Sequence, residues 1–424
     1  MQSGFCSFQL SSQEQIAVIT IIENANVVDV ENGKVLPDQR LVLENGFIRE
    51  VSEEKLPHSE ANRVNLKGAF VIPGLIDAHV HATAYTANLG ELPRQSPMYV
   101  AARAAKVLDG MLSRGFTTVR DVGGADFGLA QSVEEGLISG PRLLYGGKAL
   151  SASGGHGDHR AMGVDRTDET YAQVSLGRRC DGVDEVRRAA RDEIRRGAHH
   201  IKIMANGGIS SPTDRITSDQ FSEEEIAAIV DEANMADLYV VSHTYTARSV
   251  ARAVRNGVRS IEHGNLLDEE TVALMKQAGS FLTPTLSCFR ALAEVGAESG
   301  FPKDRMDKIR LVLDSGLYAV ELAYRAGVPM AYGTDLIGPM HSRQLHEFAL
   351  RADVVPPLDL LRAATSTAAE LVRLENEIGH VKENYRADLN VLSANPLDKG
   401  VLESFAKHLQ FVIKGGEIVK SYSS

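Results

Sequence analysis

The chain has 424 residues, 43% hydrophobic and 24% charged, with a formal net charge of −11. That length suits a barrel of about 300 residues plus a small second domain. The acidic balance argues against nucleic acid or an anionic membrane as partner, because both select basic patches, and no apolar run reaches the roughly 18 residues of a membrane span.

Residues 1–15 are polar and lack the charged-then-apolar layout of a signal peptide, so a flexible extension is expected there. Short β segments follow over residues 17–71, with Glu31-Asn-Gly33 and Glu44-Asn-Gly46 as turns. Asn-Gly between apolar residues marks a hairpin, since both positions tolerate positive φ. From residue 70 the pattern alternates strand and helix. Eight candidate strands cover residues 70–81, 117–121, 142–149, 199–204, 238–243, 259–263, 280–285 and 329–335. Between them, Asp184 is expected to cap a helix stopped at Gly197, and Ser222-Glu-Glu-Glu225 is a capping box. Residues 356–374 are expected as one closing helix. Strand-like segments return at residues 387–392 and 409–414, and Gly415-Gly416 turns the chain into residues 417–421.

This order predicts an α/β fold: a (β/α)8 TIM barrel over residues 73–380, with a small β-sandwich built from residues 16–72 and 381–424. Neither G-x-G-x-x-G nor G-x-x-x-x-G-K-[ST] occurs, so no nucleotide cofactor is expected. Cys6, Cys180 and Cys288 are too few and scattered for a disulfide framework, which favours a reducing, cytoplasmic setting.

Six residues of metal-ligand type stand at the C-terminal ends of these strands: His79, His81, Lys202, His243, His263 and Asp335. Barrel enzymes keep their chemistry at that end, where loops vary without disturbing the packed interior. His79 and His81 are two apart and point to one side of a strand. Imidazole and carboxylate suit zinc, with manganese, cobalt or nickel fitting the same donors. Lys202 lies between apolar neighbours, where a lone ammonium is costly. It is read either as half of a buried salt bridge or as a carbamate formed with CO2, an anionic ligand able to bridge two cations; the second reading is preferred. Asp335 doubles as the candidate proton acceptor, and Asp121 is read as structural.

Pro73-Gly-Leu-Ile-Asp-Ala-His-Val-His81, Gly115-Phe-Thr-Thr-Val-Arg-Asp121, Ser153-Gly-Gly-His-Gly-Asp158, Ile201-Lys-Ile-Met204, Ser242-His-Thr-Tyr245, Ile261-Glu-His-Gly-Asn265 and Gly333-Thr-Asp335 resemble the amidohydrolase superfamily, in particular its imidazolonepropionase-like Xaa-Pro dipeptidase and carboxypeptidase group. The resemblance spans residues 20–420. It implies two Zn2+ per chain, a homo-oligomer, and attack of a metal-bridging hydroxide on the amide of a dipeptide or N-acyl amino acid. It also implies that His156 and Tyr245 line the substrate site and donate to a carbonyl or carboxylate. One departure stands out: Ala205-Asn-Gly-Gly208 replaces the relatives' Ala-Ser-Gly-Gly. Arg94 and Arg290 are further candidates for a substrate carboxylate. Alternatives are hydrolysis of a xenobiotic or mycotoxin amide, carbamate or urea bond, and, more remotely, a non-catalytic scaffold.

Overall fold

The computed structural model describes residues 19–54, 61–160, 162–164, 171 and 173–422. The expected N-terminal extension and Cys6 lie outside them.

The middle of the chain is a parallel α/β assembly of the TIM-barrel type. Three parallel strands, Leu75–Val80, Phe116–Asp121 and Arg142–Tyr145, form one sheet. A second parallel sheet runs, in spatial order, through Gly177–Arg179, Ala149–Ser151, Ile201–Met204, Val240–Thr246, Ser260–Leu266 and Phe281–Thr283. Residues 329–335 lie between the last and first of these strands. Ala331 N–H donates to Leu282 O at 2.9 Å and Ala78 N–H to Tyr332 O at 2.8 Å. Val119, Ile201, Ile203, Val240 and Ile261 pack against the surrounding helices, where Val186, Ala189 and Ala190 or Ile226, Ile229 and Ala233 are buried, while Arg120, Ser260, Glu262 and Thr283 meet one another on the other side of the strands.

Four expected elements differ. Residues 70–81 form two strands, because Phe70–Pro73 pairs antiparallel with Leu389–Leu392 while Leu75–Val80 joins the parallel set. The switch is at Gly74, where a Cβ would lie 2.0 Å from Thr117 Oγ1. Residues 142–149 break at Gly146-Gly147, and Gly147 adopts φ +71°. In residues 329–335 the ladder contracts to the single bridge Leu282–Met330, and the segment ends at Asp335 with φ +53°. Residues 356–374 split into Pro357–Ala363 and Ser366–Leu371 around Thr365, at φ −136°, whose hydroxyl donates to Leu361 O at 2.7 Å. At the helix Val183–Arg195, Gly182 occupies the N-cap and Asp184 the first turn, where its charge still complements the helix dipole. The Ser222–Glu225 capping box forms as expected, with Glu225 N–H to Ser222 Oγ at 3.2 Å.

Both ends of the chain meet in one eight-stranded sheet. Asn45 and Gly46, at φ +52° and +82°, turn Lys34–Glu44 into Phe47–Ser52; Gly415 and Gly416 do the same between Leu409–Lys414 and Glu417–Ser421. Ile22, Leu41, Ile48, Val71, Leu389 and Ile413 give this sheet a core of its own.

Candidate metal centre and its surroundings

The strand ends bring the six ligand-type residues to one place. His79 Nε2 and His81 Nε2 lie 3.3 and 3.2 Å from the same Asp335 oxygen, and the three ligand atoms fall within 4.8 Å of one another. Two donors about 2.0–2.1 Å from one tetrahedral cation are about 3.3 Å apart, so this spacing fits a shared ion. The rings continue in a chain: His79 to His263 at 4.9 Å between centroids, then His263 to His243 at 4.7 Å. His263 and Asp335 both hold left-handed backbone, φ +75° and +53°, a conformation that costs a non-glycine residue about 1 kcal/mol or more and persists where surrounding contacts impose it.

Each histidine is aimed by its other nitrogen. His79 Nδ1 donates to Glu262 Oε2 at 2.7 Å, His81 Nδ1 to Gly123 O at 2.8 Å, and His263 Nδ1 faces Thr285 Oγ1 at 2.7 Å. These contacts leave Nε2 of all three free to ligate, a pattern common to metal-binding histidines. His243 is turned the other way, with Nε2 3.3 Å from Gly207 O. Burial opposes charge on Glu262, but Arg120, at 2.8 Å, and His79 hold its carboxyl well below the usual range. Asp335 is likewise pulled down against burial, mainly by His79 and His81.

Lys202 is fully buried and, among the described residues, forms no ion pair. The salt-bridge reading therefore has no partner residue. Desolvation lowers its ammonium to about 8, with Glu262 and Asp335 near enough to offset part of the cost.

His156 stacks on His243 at 4.1 Å, so it does reach the site. Its Nδ1 meets Ser211 Oγ at 3.0 Å, and Ser211 hydrogen-bonds Asp214, which Lys308 contacts at 3.1 Å. Ser211 has one proton to give and Asp214, its carboxyl lowered despite burial, can only accept. His156 then donates from Nδ1 and carries a lone pair on Nε2, while burial lowers its pKa to about 4. In this tautomer its free nitrogen accepts a hydrogen bond, whereas the sequence expectation had it donating. Tyr245 packs against His243, His263 and Phe289. Burial raises its phenol well above 10, so the hydroxyl stays a neutral donor.

Asn206 is not a free wall of the pocket. Its amide donates to Ile216 O and Ser218 O, both at 2.8 Å, and its oxygen accepts from Tyr245 N at 2.8 Å and Thr246 N at 3.2 Å. It ties the loop after the lysine strand to the strand carrying His243 and Tyr245. Asp121 accepts from the backbone of Ala82, Gly123 and Ala125, in keeping with a structural role. Arg94 and Arg290 are exposed.

Several neighbours were not singled out from sequence. Glu262 sits beside His263 in the motif, which is a signal. Arg120 likewise sits in a motif, beside Asp121, whereas Thr285 and Cys288, which approaches Asp335, have no such signal, since only the fold brings them in.

A model of the amidohydrolase family matches residues 70–420. The chain belongs to this family. Among solved structures, this amidohydrolase is similar to a prolidase in complex with N-methylphosphonate-L-proline, at 46% identity and TM-score 0.93, covering 96% of this chain and all of that one. It is also similar to a Xaa-Pro dipeptidase with methionine in its active site, at 27% identity and TM-score 0.86, over 95% of this chain and all of that one. A curated relative, the ochratoxinase of Aspergillus niger, is 32% identical over 98% of this chain and 91% of its own length.

Proposed function

We propose that this amidohydrolase is a binuclear metal-dependent enzyme that cleaves the amide bond of a dipeptide or N-acyl amino acid. The observation that carries the reading is the convergence of His79, His81 and Asp335 within 4.8 Å beside a buried Lys202 without an ion pair. His79, His81 and Asp335 would hold one cation and His243 and His263 a second. Lys202 would lie between them as a carbamate, formed when its neutral amine adds to CO2 and releases a proton. Such ions, zinc first for these donors, would supply Lewis acidity and an acidified water.

The chain's own groups do the rest. Asp335 accepts the proton of the attacking water and passes it to the departing amine. Tyr245 directs its hydroxyl toward a substrate oxygen. His156 Nε2 accepts from a substrate N–H or from water in its neutral form. The scaffold in this reading is a closed (β/α)8 barrel over residues 73–380, supported by the hydrogen bonds of residues 329–335 to strands on both sides. In the same reading residues 16–72 and 381–424 would make up a composite β-sandwich domain.

The test is amine release, followed by mass spectrometry, from pooled dipeptides and N-acyl amino acids by zinc-loaded enzyme in bicarbonate. Release of proline or another free amino acid supports the reading; silence from an enzyme shown to hold two metals overturns it. The similarity to prolidase and dipeptidase structures supports this substrate class. Similarity to ochratoxinase favours a second reading, hydrolysis of a mycotoxin or other xenobiotic amide, to be assayed in parallel.

A further inference from the structure

On the outer flank of the loops that follow residues 75–80 and 329–335 lies a cavity of about 300 Å3. Its floor is one face of the helix Pro97–Ser113, which supplies Arg103 and Lys106, with Arg114 just past the helix end; Tyr85, His341 and Ser342 form the opposite wall. Three cationic side chains thus line it, and no carboxylate does among the described lining residues.

Arg114 is the informative member. Its Nε donates to Gln344 Oε1, a neutral amide, at 3.0 Å. Its Nη2 is buried and without a hydrogen-bond partner, and no ion pair to its guanidinium forms among the described residues. Desolvation brings it down to about 10, which Asp77 only partly offsets. A largely buried guanidinium without a counter-anion is costly, and a planar fork of donors matches oxyanions in two-point contact. Arg103, meanwhile, is held over the rings of Tyr85 and Tyr99, at 5.0 and 6.0 Å, which orders an otherwise mobile side chain at the rim.

We propose that this cavity is a binding site for a small free oxyanion, a phosphate or a compact carboxylate, with Arg114 as its deep contact and Arg103 and Lys106 as its rim. Its volume lies at the low end of small-molecule sites. The site is separate from the candidate metal centre but connected to it. Gln344, which receives Arg114, donates to Asp77 Oδ2 at 2.8 Å, and Asp77 accepts from His79 N at 3.1 Å and from the Thr334 hydroxyl at 2.6 Å. His341, on the cavity wall, contacts Ala84 O at 3.1 Å in the loop following His81. An anion on Arg114 therefore tightens the same backbone that carries His79, His81 and Asp335.

The experiment is calorimetric titration of the metal-loaded enzyme with inorganic phosphate, alongside thermal unfolding in phosphate and in chloride of matched ionic strength. The variants are Lys106→Glu and Arg103→Glu, both exposed positions remote from the metal ligands, and Arg114→Gln. The proposal expects phosphate to raise Tm beyond chloride and Lys106→Glu to weaken phosphate binding at least tenfold, with metal content unchanged. Arg114→Gln, if it folds, should abolish this binding. Equal phosphate affinity in wild type and Lys106→Glu overturns the proposal, because the anion would then be on the metals. So does a phosphate effect that chloride reproduces. Loss of oligomeric assembly in Lys106→Glu without any phosphate binding by wild type also overturns it, assigning the cations to a carboxylate of a second copy.

Discussion

Glu262 and His79 stand 183 positions apart in the chain, yet their side chains meet at 2.7 Å between the parallel strands. Glu262 is in turn held by Arg120 at 2.8 Å and by the Ser260 hydroxyl at 2.6 Å. The carboxylate keeps the proton of His79 on Nδ1 and points Nε2 at Asp335. Replacing Glu262 by Gln preserves shape but weakens this orientation and leaves Arg120 without its counter-charge. Metal affinity should fall about 10- to 100-fold, read by competition with a chelating dye. Unchanged affinity would remove Glu262 from the ligand-orienting network.

Asp335 touches both His79 and His81 and is also the proposed proton carrier. An Asp335→Asn enzyme loaded with metal should lose kcat by about 10²-fold or more. Metal analysis and steady-state kinetics on the same sample decide this. A variant holding two ions with near-normal turnover would rule out the proton-carrier role.

Lys202 sets a pH dependence with a definite sign. Lowered to about 8 from 10.5, its amine is neutral in about one molecule in ten at pH 7, against about one in three thousand for an ordinary lysine. Carbamate formation needs that neutral amine, so at constant dissolved CO2 the rate of metal reconstitution should climb from pH 6 and level off above 8. The folded metal-free protein binds fewer protons than the unfolded chain between 8 and 10.5. This group's contribution to apo-protein stability therefore rises with pH across that window and is lost once pH has fallen past 8. Lys202→Met should remove the CO2 dependence of reconstitution altogether.

Asn206 makes four hydrogen bonds to backbone groups of two segments. Asn206→Ala leaves the Tyr245 amide and the Ile216 and Ser218 carbonyls without these partners. The expected loss is about 3 kcal/mol of stability in urea unfolding, since each unmatched buried group costs about 1–3 kcal/mol. KM should rise more than kcat falls, because Tyr245 and the loop at 207–218 lose their mutual anchor. Asn206→Ser keeps part of the bonding and should lie between the two.

The candidate ligand residues were legible because each chemical type sits at the end of an apolar run, and a strand's period of two puts His79 and His81 on one side. Turns at Asn45-Gly46 and Gly415-Gly416 were legible for a similar reason: few residues accept positive φ, so local chemistry alone marks them. The break at Gly74 was not, because it depends on Thr117 passing within contact of a backbone 43 residues away in sequence. Nor was the Arg120–Glu262–His79 chain, whose members belong to three strands.

By itself, then, the sequence determined the order of elements, the turn positions and the six candidate ligand residues, all set by short-range periodicity and side-chain chemistry. Only the tertiary structure decided which nitrogen each histidine offers, that Lys202 forms no ion pair among the described residues, that Asn206 is a brace and that Nη2 of Arg114 is buried without a hydrogen-bond partner among them. Those outcomes depend on desolvation and on hydrogen bonds between distant strands, and neither exists until the chain has folded.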